Sequence, residues 1–177
     1  MPTPDELEAD PRFPWTRGLE PKALGRRQVP EPERAGLEPG DCPLCERPDD
    51  AYLWTDEQWR LLPYDAIPLR GCVILETRRH VDSFVDLSTD EARSLGTVVS
   101  RVERAVLSIG EVGRVHVARW GEGIAHFHQW VMPRPLGVME LRGPSLMAWM
   151  DALPPLDPRE LEEAHTSIGA AMHGVDP

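Results

Sequence analysis

The stretch His126-Phe127-His128-Gln129-Trp130 sets two imidazoles one residue apart, with a tryptophan at the next alternate position. If residues 124–132 form a strand, alternate side chains share a face. Ile124, His126, His128, Trp130 and Met132 then look one way, and Ala125, Phe127, Gln129 and Val131 the other. The two histidines would lie about 6.5–7 Å apart along the strand. Such a pair can converge on one metal ion, divide two neighbouring tasks in phosphate chemistry, or fill a core as hydrogen-bonded rings. The turn before it, Gly121-Glu122-Gly123, offers backbone N–H groups that could face a developing anionic charge. Arg119 and Arg134 are the nearest cationic side chains in sequence, each with the alternative of being a solvated surface arginine.

A second cluster is Cys42-Pro43-Leu44-Cys45, half of a tetrahedral zinc site. A redox pair would sit at the start of a helix in a thioredoxin-like setting. Here the pair follows a Pro/Gly-rich stretch and precedes Glu46-Arg47-Pro48-Asp49-Asp50, which reads as a loop. Two further ligands would have to come from His80, His116, His126, His128, His165 or His173. His165 and His173 are expected to be exposed or capping residues on a C-terminal helix, and His116 to point away from the core.

The elements that must position these residues are partly legible. Residues 52–63 read as two short strands around a Thr55-Asp56 turn. Residues 71–77 read as a short buried strand. Ser88, with Glu91 three residues on, is a capping-box signal. Leu95, Val98, Val99, Val102, Val106 and Ile109 recur at helical spacing behind it, and Gly110 stands where such a helix would stop. Residues 114–118 and 124–132 are strand-like, and residues 144–153 suggest a short helix. Asp157-Pro158-Arg159-Glu160 opens a final helix whose apolar face is Leu161, Ala164, Ile168 and Met172. There is no internal repeat. Strands, helix, strands and helix follow one another without βαβ alternation, which predicts an α+β domain with a mainly antiparallel sheet, one long helix and a C-terminal helix.

Bulk properties set limits. A chain of 177 residues with 41% hydrophobic and 28% charged content suits one soluble domain plus an arm. Residues 1–40, rich in proline and charge, read as an extended arm packed through Phe13 and Trp15. No apolar run approaches the ~18 residues of a membrane span, and the acidic start does not read as a secretory signal, so a cytoplasmic location is expected. A net charge of −11 argues against broad nucleic-acid binding but leaves room for a small nucleotide. Three cysteines, an odd number, argue against a disulfide framework.

The His126–Arg134 stretch resembles the signature strand of the histidine triad superfamily of nucleotide hydrolases and transferases, including its galactose-1-phosphate uridylyltransferase-like branch. That strand reads His-x-His-x-His, commonly followed by Val-Ile-Pro-Arg; here His126, His128 and Trp130 occupy the three positions, followed by Val131-Met132-Pro133-Arg134. An upstream match is independent: Asp65, Pro68, Gly71, then Cys72-Val73-Ile74-Leu75-Glu76 and Thr77-Arg78-Arg79-His80. The resemblance spans about residues 40 to 135, the chain dividing into an arm (1–40), a histidine-triad-like domain (41–140) and a helical extension (141–177).

The resemblance implies a structural Zn2+ held by Cys42, Cys45, His80 and His126. It implies His128 as the nucleophile that forms a covalent nucleotidyl-histidine, and a nucleotide or nucleotide sugar as the small-molecule partner. Asp65 matches the position that hydrogen-bonds the ribose; Gly121, Gly123, Arg119 and Trp130 fall at substrate-facing positions. A homodimer is the usual assembly. This sequence departs from the pattern at Trp130, which replaces a histidine or glutamine, at Glu122 in the glycine turn, and at Thr77, where proline is usual. Indole donates one hydrogen bond and cannot accept one, so a non-catalytic nucleotide-binding protein is the alternative reading.

Overall fold

The computed structural model describes residues 27–174 and the single residue Ala9. The expected packing of Phe13 and Trp15 lies outside the described residues. Chain order is α1 (Pro43–Glu46), β1 (Trp54–Thr55), β2 (Trp59–Pro63), β3 (Val73–Thr77), α2 (Thr89–Ser108), β4 (Val112–Ala118), β5 (His128–Pro135), α3 (Ser145–Trp149) and α4 (Pro158–Gly174). The five strands form one sheet in the order β1-β2-β3-β5-β4, every neighbouring pair antiparallel. The α+β expectation is met.

Local chemistry explains the elements. Asp56 closes the β1–β2 turn: its Oδ1 accepts from the backbone N–H of Gln58 (2.8 Å) and Trp59 (2.7 Å). Ser88 caps α2 reciprocally, its hydroxyl accepting from the Glu91 N–H at 3.2 Å while Glu91 Oε2 accepts from the Ser88 N–H at 2.7 Å. Gly110 follows the helix in the left-handed region, φ 76°.

Alternation sorts the strands into two faces. Trp59, Leu61, Val73, Leu75, Phe127 and Val131 join Val98, Val102 and Val106 of α2 and Ile168 and Met172 of α4 in the main core. The opposite face carries a smaller cluster, in which Ile67, Leu69, Cys72 and Met132 meet Leu141 and Leu146, with Tyr64 and Trp130 packed at its margin. His128 belongs to this second face, pairing in register with Glu76 of β3, as Trp130 pairs with Ile74.

Two expectations are corrected. The strand expected over 124–132 begins at His128 and continues to Pro135. Residues before His128 leave the ladder because they pair elsewhere: Ile124 bridges Ala35 in parallel, Ala125 N–H bonds Ala35 O at 2.9 Å, and Phe127 N–H bonds Val81 O at 2.5 Å. His165 is not exposed but 5% accessible, its Nε2–H donating to Cys72 O at 2.9 Å. Among the described residues, no helix is long and apolar enough to cross a membrane.

Candidate metal centre and active site

Four side chains from three parts of the chain converge. Cys42 caps the one-turn helix α1 and Cys45 lies within it; His80 follows β3; His126 immediately precedes β5. Pro43 at the first helical position presets the turn that brings the two sulfurs together, so the cysteine pair sits on a helical turn rather than in an open loop. Their ligand atoms all lie within 4.8 Å of one another. His126 Nδ1 is 3.3 Å from Cys42 Sγ and 3.6 Å from Cys45 Sγ, and His80 Nδ1 is 3.3 Å from Cys45 Sγ.

The surroundings fix which ring nitrogen faces the cluster. His126 Nε2 donates to Thr77 O at 2.8 Å, and His80 Nε2 donates to Leu37 O at 3.3 Å. Each ring thus turns its Nδ1 lone pair inward, the arrangement metal-ligating histidines use. Burial pushes His126 down to about 4, which keeps the imidazole neutral, and burial beside Cys42 pushes the Cys45 thiol up to about 11. Without a cation the Cys45 thiol holds its proton; binding a divalent metal would displace it. Gly36 completes the enclosure. It has φ 65°, and a Cβ there would come within 3.1–3.3 Å of Cys42 Cα, Cβ and Sγ.

His128 stands outside the four-ligand cluster. It is 8% accessible, and its Nδ1 donates to His126 O at 2.8 Å. A carbonyl can only accept, so the proton sits on Nδ1 and the lone pair on Nε2. Trp130 shares its face at 6.4 Å between ring centroids and is boxed in by Tyr64 at 4.6 Å and Trp120 at 5.8 Å.

The remaining sequence-derived candidates are placed as follows. Arg119 turns to Asp82, donating to its backbone oxygen and lying 3.7 Å from its carboxylate, with the guanidinium 5.3 Å from the centre of the Phe127 ring. Gly121 takes φ 66° beneath that guanidinium, and its carbonyl accepts from Arg34 at 3.0 Å. Gly123 O accepts from the Ala35 N–H at 3.2 Å. Arg134 donates to Pro135 O and Val138 O at the far end of β5. Asp65 meets His165, Oδ1 to Nδ1 at 3.3 Å. The structure therefore brings together Cys42, Cys45, His80, His126, His128 and Trp130, while Arg119, Arg134 and Asp65 are engaged with other partners.

Sequence reasoning missed the role of Thr77, which it marked only as a departure from the usual proline, and missed Leu37 and Gly36. The first two act through backbone carbonyls, which leave no side-chain signature; the third through the absence of a side chain.

No family model and no curated protein matches the sequence. Solved structures do. A zinc-bound histidine triad family protein from Mycobacterium smegmatis superposes with TM-score 0.58 at 18% identity, covering 77% of this chain and 96% of that one. A histidine triad protein from Bradyrhizobium japonicum gives 0.56 at 21% identity, covering 68% and 89%. A mutant uridylyltransferase gives 0.53 at 16% identity, covering 76% of this chain and 48% of that one. The chain has the histidine triad fold. On that fold it carries a Cys2His2 cluster, and Trp130 stands at the place that the sequence resemblance aligns with a third histidine.

Proposed function

We propose that this protein binds a structural zinc ion through Cys42, Cys45, His80 and His126, and acts on a nucleotide or nucleotide sugar through His128 as a phosphohydrolase or nucleotidyltransferase. Four protein ligands close a tetrahedral shell, so the ion would supply folding energy and placement rather than a Lewis-acid position. The observation that carries the chemistry is the bond from His128 Nδ1 to His126 O, which leaves the lone pair of the neutral ring on Nε2.

The Nε2 lone pair would form the N–P bond as the P–O bond to the leaving group breaks, the departing oxygen keeping the electron pair and taking a proton from solvent. Water, or the phosphate oxygen of an acceptor, then attacks phosphorus as the N–P bond breaks; its electron pair returns to Nε2, an attacking water gives its proton to solvent, and His128 regains its starting form. The test is acid-labile labelling of His128 with an α-phosphate-labelled nucleotide. A phosphoramidate at His128 that disappears in His128→Ala supports the reading.

A second reading is favoured by a specific observation. Trp130 stands where the fold's relatives would place a polar group, and Arg119 and Arg134 are committed to other partners. A protein that binds a nucleotide without turning it over fits that arrangement. Saturable nucleotide binding with no covalent adduct selects it.

A further inference from the structure

Behind the metal centre lies an ion pair that the chemistry above does not use. Arg60 of β2 and Glu76 of β3 are paired at 3.0 Å, with side chains 4% and 0% accessible. The Tyr52 hydroxyl donates to Glu76 Oε1 at 2.5 Å, and the Arg60 guanidinium lies 4.7 Å from the centre of the Tyr52 ring. Burial raises the Glu76 carboxyl above its usual range, against the opposing pull of Tyr52 and Arg60. As a stabilising device the group is poorly made. Glu76 Oε2 and Arg60 Nε are buried without partners, and a buried ion pair generally gains little over well-packed apolar side chains.

What the pair does achieve is reach. Arg60 Nη2 donates to Leu44 O at 3.0 Å and lies 3.4 Å from Thr77 O. Leu44 is the residue between Pro43 and Cys45, so its carbonyl belongs to the turn that presents both sulfurs. Thr77 O is the acceptor that orients the His126 ring. One guanidinium therefore touches the backbone of both halves of the ligand set, and Glu76 with Tyr52 holds that guanidinium in place.

We infer that Arg60, held by Glu76 and Tyr52, is a positioning residue of the metal centre that ties the Cys42–Cys45 turn to the carbonyl fixing His126. The inference rests on the zinc reading above. Outer-shell partners of this kind typically account for 10–100-fold in metal affinity.

The experiment measures zinc affinity of the full chain by competition with a chromophoric chelator, and the ligand-field spectrum of the cobalt-substituted protein. Arg60→Met should weaken zinc 10- to 100-fold and shift the cobalt bands. Arg60→Lys retains the charge facing Glu76, but its side chain ends one bond short of the Nη2 position that meets Leu44 O, Thr77 O and Glu76. It should fold and still weaken zinc about tenfold, so it decides the matter if Arg60→Met does not fold. Val102→Ala, a core truncation in α2, should lower Tm and leave both zinc readouts unchanged. Zinc affinity in Arg60→Lys within twofold of the wild type, with unaltered cobalt bands, overturns the inference while leaving the zinc reading intact. A wild-type chain that binds no zinc overturns both.

Discussion

The Cys2His2 cluster and the His128–Trp130 strand lie side by side but are furnished very differently. In the cluster both imidazoles are oriented by a carbonyl, and Gly36 gives room to Cys42. Next door, His128 has its tautomer fixed by a carbonyl and an aromatic box beside it, while the cationic side chains nearest in sequence are held by Asp82 and by backbone carbonyls. The Cys2His2 cluster is held from several sides, and the strand proposed to carry the reaction has fewer supports. In the proposed reaction the nucleophile would be tightly placed, whereas charge at phosphorus would have no side-chain cation from Arg119 or Arg134 as they stand.

The sharpest way to break the contrast is at the nucleophile. His128→Ala should lower any nucleotide turnover by at least about a thousandfold and leave zinc content, measured by atomic emission, unchanged. Unaltered turnover would sink the covalent reading. Next in size is zinc removal. Chelation, or Cys42→Ser, should lower Tm by roughly 10 °C or more, since structural zinc carries folding free energy; a calorimetric scan with no shift would show that the cluster is not part of the fold's stability.

A smaller effect sharpens the other side. Trp130→His restores a ring that can donate and accept. It should raise kcat/KM for nucleotide cleavage about tenfold, within the usual range for one general acid–base or hydrogen-bonding group, and leave zinc affinity alone. Least is Glu91→Gln, outside both sets of side chains although its partner Arg79 precedes His80. Gln can still complete the α2 capping box, so the loss is the Arg79–Glu91 ion pair, about 1 kcal/mol in denaturant melts. The Arg79 guanidinium, with Ser88, holds the Glu91 carboxyl below its usual range. A depressed carboxyl stabilises the fold fully above the ordinary glutamate value and loses that contribution as pH falls through the lower folded value. The gap between wild type and Glu91→Gln should therefore close in acid.

Much of this was legible in the residues. Alternation placed Trp130 and Met132 opposite Phe127 and Val131, and helical spacing found α2 and the apolar face of α4. The ligand set was legible by resemblance, and the fold brings its four members together. What escaped was backbone-borne or context-borne. A carbonyl such as Thr77 O has no residue signature. The pairing of Arg60 with Glu76, and the reach of Arg60 to Leu44 O, join residues far apart in sequence and leave no local pattern. His165 reads as a polar position on an amphipathic helix, yet its ring is buried because the Cys72 carbonyl offers it a partner. The early exit of residues 124–127 from the ladder depended on Ala35, almost ninety positions away.

His126 belongs to both regions at once: its ring faces the sulfurs, while its carbonyl holds His128. Two ligands that bias one residue must bias each other equally. If a nucleotidyl group on His128 strengthens or weakens the bond to that carbonyl, zinc affinity changes by the same factor as zinc changes adduct stability. Metal titrations of free and adduct-bearing protein would read that factor directly, as a reciprocal coupling carried by a single peptide unit.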